Sequence, residues 1–395
     1  FVMKEKVIQE LLQNYKTPLY VFDIHILKER IAYLRRCLEA DLCYAVKANT
    51  FILKEICDDI DRFEVCSEGE LRICESMQLP MSKIVLSGVY KNVKVIRELI
   101  KKKKGIGIFT IESMRQYELL KEAAQQNHVS ISLLLRLTSG NQFGLNEEEI
   151  FELIQDASNI PYIEIKGIQY FSGTQKKSLK KLAREISYLD NFLLSLSDKT
   201  GFVIQELEFG PGFPISYFES DDYDEEAFLK GFSDILESMT YKTAITLELG
   251  RSIAASCGYY LTKVVDMKMN KNQRYAIVDG GIHHLVYYGQ SMAMKLPKYE
   301  MYPSRNSSKG HSWNICGSLC TINDILVKQL TIADLTYGDV LIFKNTGAYC
   351  MTEGISLFLS RDLPAVIKID EDGSFSCIRE VIRTDLINMP SRKGE

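Results

Sequence analysis

A lysine closes the first strongly apolar strand pattern of the chain, in the run Tyr44-Ala45-Val46-Lys47-Ala48-Asn49. A lysine in such a place is costly unless its amine is exposed, paired with a carboxylate or consumed in a covalent bond. Such an amine can form a Schiff base with the carbonyl group of a substrate or a cofactor. The alternative interpretation, a strand end without a chemical role, stays open on this motif alone.

Two later strand patterns end in residues suited to a charged ligand. Gly210-Pro211-Gly212 follows one of them, and Glu248-Leu249-Gly250-Arg251 contains the end of the next. Glycines let the backbone approach phosphate oxygens, and Arg251 adds charge-assisted hydrogen bonds, although Pro211 removes one amide donor. A carboxylate such as Glu248 beside a pyridine nitrogen would keep it protonated and make the ring an electron sink.

Other polar segments allow both a functional and a structural interpretation. Ser172-Gly173-Thr174 offers hydroxyl and amide donors, and the preceding Phe171 either stacks on an aromatic cofactor or packs in the core. Asn314–Thr321 and Gly347-Ala348-Tyr349 are predicted loops with reactive tips, although a cysteine is usually a small hydrophobic residue. His283-His284 lacks a third ligand at a usable spacing, so we expect no metal site.

Short apolar runs alternate with amphipathic helical patterns over the first two-thirds of the chain. The predicted strands are 42–47, 63–66, 83–86, 107–110, 131–137, 165–171, 205–209 and 244–249, and the predicted helices lie near 25–38, 52–60, 68–77, 93–103, 113–126, 147–157, 179–196 and 225–238. This alternation requires parallel strands joined by crossover helices. Eight such units predict a closed (β/α)8 barrel, a TIM-type fold whose chemistry lies at the carboxyl ends of its strands, where the residues above fall.

The pattern changes at about residue 253. Strand-like runs at 259–267, 274–279, 325–330, 339–343, 365–370 and 374–379 are separated by turns, and helical periodicity nearly disappears. We therefore predict an α/β chain with a barrel domain over residues 24–252 and a β-rich, barrel-like domain formed by residues 1–23 and 253–395. The early strand 18–22 is expected to pair into that second domain.

Composition excludes several classes of protein. A net charge of −4 gives no basic face for nucleic acid, and no apolar stretch approaches the ~20 residues of a membrane span. Ten cysteines occur without a CxxC motif, which favours free thiols in a reducing compartment. Because the first residues show no charged-then-apolar leader, the expectation is a cytoplasmic protein without nucleic-acid or membrane partners.

Taken together, these motifs resemble those of the fold-type III pyridoxal-phosphate decarboxylases. This family contains the diaminopimelate, ornithine and arginine decarboxylases, with alanine racemase as a distant relative of the same fold. The resemblance covers the whole chain and is carried by Tyr44–Asn49, Phe63–Leu71, Ser172–Thr174, Gly210–Gly212, Glu248–Arg251, Gly317–Cys320 and Gly347–Tyr349. Several separated motifs in the same order are a specific signal, whereas one alone would not be.

The resemblance implies pyridoxal 5'-phosphate as the cofactor and decarboxylation of an L-amino acid or its derivative as the reaction. Lys47 would bind the cofactor covalently, and Cys320 would return a proton to the substrate in the partner subunit's site, which implies a homodimer with shared active sites. Glu248 would pair with the pyridine nitrogen, and Arg136 would lie near the phenolic oxygen. The cofactor-binding residues implied are Lys47, Glu64, Arg136, Phe171, Thr174, Gly210, Gly212, Glu248, Gly250, Arg251 and Tyr349.

Departures from the family pattern bear on the substrate. Phe171 stands where relatives have a histidine, and Thr321 stands where relatives acting on diamino acids have an acidic residue. Thr321, Asp324 and His284 are the expected substrate-binding residues, with Asp324 able to replace the missing acid. Together with these departures, Gly280–His284 and Leu319–Thr321 resemble a specialised branch. That branch includes the glutamyl-carrier-protein decarboxylase of butirosin biosynthesis and a siderophore decarboxylase of an N-acylated diaminopropionate.

Four alternative functions are compatible with these residues to different degrees. The first is decarboxylation of a carrier-bound or N-acylated amino acid in a specialised biosynthetic pathway, and the second is a free diamino-acid decarboxylase of primary metabolism, which Thr321 disfavours. The third is a racemase. An enzyme of that kind would normally use a tyrosine opposite the lysine, so Cys320 argues against it. The presence of Lys47 and Cys320 argues against the fourth, an inactive homologue that only binds partners.

Overall fold

The computed structural model describes residues 3–157, 160–305 and 310–390. The chain forms two compact units. One comprises residues 30–215 and 223–253, and the other comprises residues 1–29, 216–222 and 254–395.

The first unit is built on a closed barrel of eight parallel strands. In chain order they are β2 (Asp41–Ala45), β3 (Arg62–Val65), β4 (Ile84–Leu86), β5 (Ile108–Ile111), β6 (Ile131–Leu137), β7 (Ile163–Phe171), β8 (Glu206–Gly210) and β9 (Ala244–Leu249), and β1 (Leu19–Asp23) precedes them outside the barrel. Each strand pairs with its neighbours in sequence, and β9 pairs with β2, which closes the barrel. The predicted (β/α)8 fold is confirmed, and the eight strand positions agree with the periodicity to within two residues.

Helices precede, connect and follow the barrel strands. They are α2 (Ile24–Cys37), α3 (Glu68–Ser76), α4 (Val93–Lys101), α5 (Met114–Asn127), α6 (Glu147–Ala157), α7 (Leu179–Thr200), α8 (Glu225–Glu237) and the short α9 (Arg251–Ala254), and α1 (Glu5–Asn14) precedes β1. The helix predicted at 52–60 is wrong. A 3-10 turn at Thr50–Ile52 and consecutive turns occupy that stretch, because its apolar residues can be buried without a regular helix.

Local capping fixes where α3 begins, directly beside the end of β3. The Ser67 hydroxyl accepts a hydrogen bond from the Glu70 N–H at 3.1 Å, and the Glu70 carboxylate accepts one from the Cys66 N–H at 2.7 Å. These two contacts satisfy amide donors that lack partners at a helix start. They hold the backbone of Cys66 rigidly where β3 ends.

The second unit is a nine-stranded sheet. After β1 it contains β10 (Gly258–Asn270), β11 (Gln273–Val278), β12 (Tyr299–Tyr302), β13 (Gly310–Cys316), β14 (Ile325–Ala333), β15 (Val340–Lys344), β16 (Ala365–Ile369) and β17 (Phe375–Arg379). The order is β14-β13-β11-β10-β1-β16-β17, with β15 pairing with both β10 and β12. As expected, β1 pairs into this sheet, antiparallel to β10 and parallel to β16.

Three elements of the second unit were not anticipated. Helix α1 and strand β12 had no prediction, and 314–316, predicted as loop, form the end of β13. Because this strand contains polar residues such as Asn314, it shows no apolar alternation in the sequence. Its backbone can still pair with neighbouring strands, since these hydrogen bonds do not depend on side-chain polarity. None of the described helices is long and apolar enough to cross a membrane.

Candidate active site

Lys47 lies at the mouth of the barrel, in a 3-10 turn (Val46–Ala48) that directly follows β2. Its Nζ donates a hydrogen bond to Glu64 Oε2 at 2.6 Å and lies 3.8 Å from Glu248 Oε1. Glu64 is on β3 and Glu248 is on β9, the two strands that flank β2. Parallel pairing therefore brings all three side chains together. Lys47 is 40% exposed, whereas the Glu64 and Glu248 side chains are 3% and 9% exposed.

The two carboxyl groups differ in protonation although both are buried. Burial by itself would raise the pKa of Glu64, but the Lys47 charge and the hydrogen bonds from Lys47 and Cys66 outweigh it and lower the pKa to about 2. Burial and the negative charge of Glu64 raise the pKa of Glu248 well above its usual range, against the opposing effect of Lys47. Together the two carboxyl groups therefore hold one proton and one negative charge beside the ammonium.

The loops after β7 and β8 approach each other through glycine backbone. Gly212 has φ +61°, and a Cβ there would lie 2.0 Å from the Gly173 carbonyl oxygen. A Cβ at Gly210 would lie 2.5 Å from the Phe171 ring. Both positions therefore require glycine, and Phe171 and Thr174 are half-buried in the same pair of strands and loops.

The loop after β9 begins with two of the expected phosphate-binding residues. Gly250 directly follows the strand, and Arg251 opens α9 with a largely buried side chain. This arrangement suits a residue that binds an anion at the carboxyl ends of the strands.

Arg136 belongs to a buried charged group on the neighbouring strands. Its Nη1 lies 3.2 Å from Glu112 Oε2, and its guanidinium carbon lies 4.8 Å from the ring centroid of Phe143. Lys91, which follows β4, is also buried, and desolvation lowers its pKa to about 8 even though the charge of Glu112 opposes this. Neither Lys91 nor Glu112 was predicted from the sequence as a site residue, although both are charged residues that follow barrel strands.

In the β-rich unit, Cys320 is exposed on the loop that follows β13, and Thr321 beside it is half-buried. Asp324 closes this loop from inside. Its Oδ1 accepts the Ile282 N–H at 2.9 Å and its Oδ2 accepts the Leu319 N–H at 2.7 Å. The carboxylate is 2% exposed, so these contacts give Asp324 a role in organising the loop.

His284 and Tyr349 occupy different surroundings in the same unit. The His284 ring contacts the Tyr260 hydroxyl at 3.2 Å and the Asp362 carbonyl oxygen at 2.9 Å. Burial and the neighbouring His283 lower the pKa of His284 to about 3, which describes a neutral core histidine. Tyr349 is half-buried in the loop after β15, with φ +65°.

The residues at the barrel mouth fit pyridoxal 5'-phosphate. Lys47 provides an amine for covalent attachment, Glu248 provides a buried carboxyl group that a ring nitrogen can face, and the Gly210–Gly212 turn provides backbone that no Cβ obstructs. When bound, this cofactor supplies an electron sink for the carbanion that remains after carbon dioxide leaves.

This fold and site define a pyridoxal-phosphate-dependent carboxy-lyase of fold type III. The chain belongs to the family described as pyridoxal-dependent decarboxylases, whose pyridoxal-binding-domain model matches residues 25–255.

Relatives within the family act on different substrates. A diaminopimelate decarboxylase from Aquifex aeolicus is 28% identical, over 97% of this chain and 94% of its own. A 2-[(L-alanin-3-ylcarbamoyl)methyl]-2-hydroxybutanedioate decarboxylase from Staphylococcus aureus is 24% identical, over 93% of this chain and 98% of its own. An L-glutamyl-[BtrI acyl-carrier protein] decarboxylase from Niallia circulans is also 24% identical, over 94% of this chain and 93% of its own.

The fold is shared with solved structures. Diaminopimelate decarboxylase from Helicobacter pylori, complexed with L-lysine, has a TM-score of 0.84 at 22% identity, covering 96% of this chain and 98% of that one.

Proposed function

We propose that this enzyme decarboxylates an amino acid whose distal end carries no free cationic amine. The substrate would be N-acylated or bound to a carrier protein, within a specialised biosynthetic pathway. The observation that carries this proposal is the Cys320–Asp324 loop. Its only carboxylate, Asp324, is buried and accepts two backbone N–H groups.

An ammonium group beside this loop would lack a partner of opposite charge. Thr321 offers a hydroxyl, which cannot neutralise a cation, and an ion without compensation costs several kcal/mol when it is desolvated. A cation of the protein lies close by, because Arg361 Nη2 donates to the Ser318 carbonyl oxygen at 2.9 Å. An amide or thioester avoids both the desolvation cost and the repulsion.

Relatives support both this proposal and its alternative. The Staphylococcus aureus and Niallia circulans enzymes are named for an acylated and a carrier-bound substrate. The Aquifex aeolicus enzyme and several other bacterial relatives are named as diaminopimelate decarboxylases. The alternative function is therefore decarboxylation of free diaminopimelate, ornithine or lysine.

We also propose a homodimer in which Cys320 acts in the site of the partner subunit. Several large apolar side chains of the β-rich unit are exposed, including Ile322 (92%), Met292 (77%) and Met294 (73%). Covering apolar side chains of this size with a partner would remove their surface from water, which favours association. All ten cysteines are free, which supports a reducing compartment such as the cytoplasm.

Each proposed residue has a separate task. Lys47 would hold the cofactor covalently, and Glu248 would provide the carboxyl group for its ring nitrogen. The Cys320 thiol delivers a proton to the substrate Cα after carbon dioxide has left. Phe171 would lie against the ring and Arg136 would lie near its phenolic oxygen. The residues that would bind the phosphate are Gly210, Gly212, Gly250, Arg251, Thr174 and Tyr349.

The test is a comparison of kcat/KM for three substrate classes with the holoenzyme. The first class is the free diamino acids ornithine, lysine and diaminopimelate. The second class is the corresponding N-acylated amino acids, and the third is glutamyl-carrier thioesters. The readout is the release of carbon dioxide. The proposal expects the second or third class to exceed the first by tenfold or more. A free diamino acid that is preferred by tenfold would establish the alternative function.

A further inference from the structure

We propose that Cys66 is a positioning residue for the cofactor-binding lysine, acting through Glu64. Its thiol donates a hydrogen bond to Glu64 Oε1 at 3.1 Å, while Lys47 Nζ donates to the other oxygen, Glu64 Oε2, at 2.6 Å. Lys47 Nζ also donates to Cys66 Sγ at 3.4 Å. The three groups form a closed triangle in which the thiol fixes both the carboxylate and the amine.

The thiol is suited to donate its proton and not to react. Burial and the negative charge of Glu64 raise the pKa of Cys66 well above its usual range, against the charge of Lys47. A protonated thiol is a weak nucleophile but still a hydrogen-bond donor. Because Glu64 is the ionised member of the carboxyl pair, it is the acceptor that this proton requires.

The backbone of Cys66 does not move freely, which gives the thiol a defined direction. Its N–H donates to Glu70 Oε2 at 2.7 Å, and Glu70 is anchored in turn by the Ser67 hydroxyl at the start of α3. A side chain on a capped strand–helix junction is held more precisely than one on a long loop. The capping contacts thus transmit the rigidity of α3 to the Lys47–Glu64 pair.

Other charged groups surround the triangle from neighbouring elements. Glu248 on β9 shares a hydrogen bond with Glu64, and Glu208 on β8 lies deeper in the barrel, where burial and the charge of Glu206 raise its pKa to about 8. Lys91 after β4 interacts with both Cys66 and Glu64 through its charge. Without the thiol, Glu64 Oε1 would lose one of its donors, so the Glu64 carboxylate and the Lys47 amine bonded to its other oxygen would be held less firmly.

The experiment measures uptake of pyridoxal phosphate by the cofactor-free protein, followed by visible absorption and by borohydride trapping on Lys47. We expect Cys66→Ala to slow uptake about tenfold, because a loosely oriented amine attacks less often. Cys66→Ser also loses the sulfur volume but keeps a donor, so its rate should return to within about threefold of the wild type. Cys74→Ala, which truncates a buried cysteine on α3, should leave the rate unchanged.

An infrared measurement tests the hydrogen bond directly. The S–H stretch of Cys66, isolated as the difference between wild type and Cys66→Ser, should lie at the low frequency of a hydrogen-bonded thiol and shift upward in Glu64→Gln. Uptake by Cys66→Ser as slow as by Cys66→Ala would overturn the proposal, as would an S–H band at the frequency of a free thiol. If Cys66→Ala does not fold, the infrared band and the Cys66→Ser rate decide.

Discussion

The Lys47 ammonium and the Glu64 carboxylate are 2.6 Å apart at the mouth of the barrel. The pair is in place in the protein itself, so the amine is oriented before it meets a cofactor. The ion pair with Glu64 fixes the direction of the Nζ atom, and the amine must lose a proton before it can form a covalent bond. The pKa of Glu248 is raised, which favours the protonated carboxyl group next to this pair. A pyridine nitrogen that faced Glu248 would have this proton within reach.

The first prediction concerns the covalent site. Borohydride reduction of the holoenzyme should fix a pyridoxyl group on the peptide that contains Lys47, and Lys47→Ala should lose both the label and the visible absorption of the bound cofactor. Lys91 is the matched control because it is another lysine beyond a barrel strand. Lys91→Met should still be labelled at Lys47. A label on any other lysine would refute the assignment.

The second prediction concerns the shared active site. Lys47→Ala and Cys320→Ala should each be inactive, but mixing them under conditions of subunit exchange should restore about a quarter of the sites, because one site of each mixed dimer carries both intact residues. The measurement is carbon dioxide release after exchange, with exchange itself verified by mass spectrometry. A mixture that exchanges but stays inactive would mean that each chain builds its own site.

The barrel could be predicted from the sequence because its signal is repeated eight times. Each strand is a short apolar run, and each carries its polar residue at the same end, so Lys47, Gly210 and Glu248 could be assigned to one mouth before any geometry was known. The segment 52–60 was mispredicted because apolar spacing shows which residues are buried but does not show whether hydrogen bonds continue through the turn.

The contacts of single side chains could not be predicted in the same way. Asp324 was expected near the substrate because of its distance in sequence from Thr321, yet its carboxylate accepts two backbone N–H groups. Cys66 is an ordinary small residue in the sequence, and only the register of β3 against β2 brings its thiol to Lys47. Such relationships depend on a few ångströms of strand register and loop path.

The third prediction concerns acid sensitivity of the β-rich unit. Burial, with a contribution from Arg361, lowers the pKa of His283 to about 4, whereas an unfolded histidine titrates near 6.5. Between these two pH values the unfolded state binds more protons at this residue than the folded state does. The stability that neutral His283 contributes is therefore fully present above about pH 6.5 and is lost as the pH falls toward 4. His283→Phe removes this titrating group and should therefore lose less stability than the wild type over the same pH range.

Fluorescence can follow this transition, because the only tryptophan of the chain, Trp313, lies on β13. The urea midpoint should fall less steeply from pH 7 to pH 4 in His283→Phe than in the wild type. His311 is exposed on the same strand, so His311→Gln should follow the wild-type curve. Identical slopes in His283→Phe and the wild type would contradict a buried neutral histidine.

The fourth prediction concerns substrate choice at Thr321. Thr321→Glu adds a carboxylate next to Cys320 on the exposed loop, where the Asp324 carboxylate is occupied by the backbone. A partly desolvated ammonium then gains an ionic partner worth about 1.5–3 kcal/mol, which corresponds to roughly tenfold or more in specificity. The ratio of kcat/KM for free lysine or ornithine to that for the N-acylated substrate should therefore rise at least about tenfold. Thr321→Gln, of equal size and without charge, should leave the ratio within about twofold of the wild type, since it adds no ionic partner. If Thr321→Glu and Thr321→Gln change the ratio equally, charge at this position does not select the substrate.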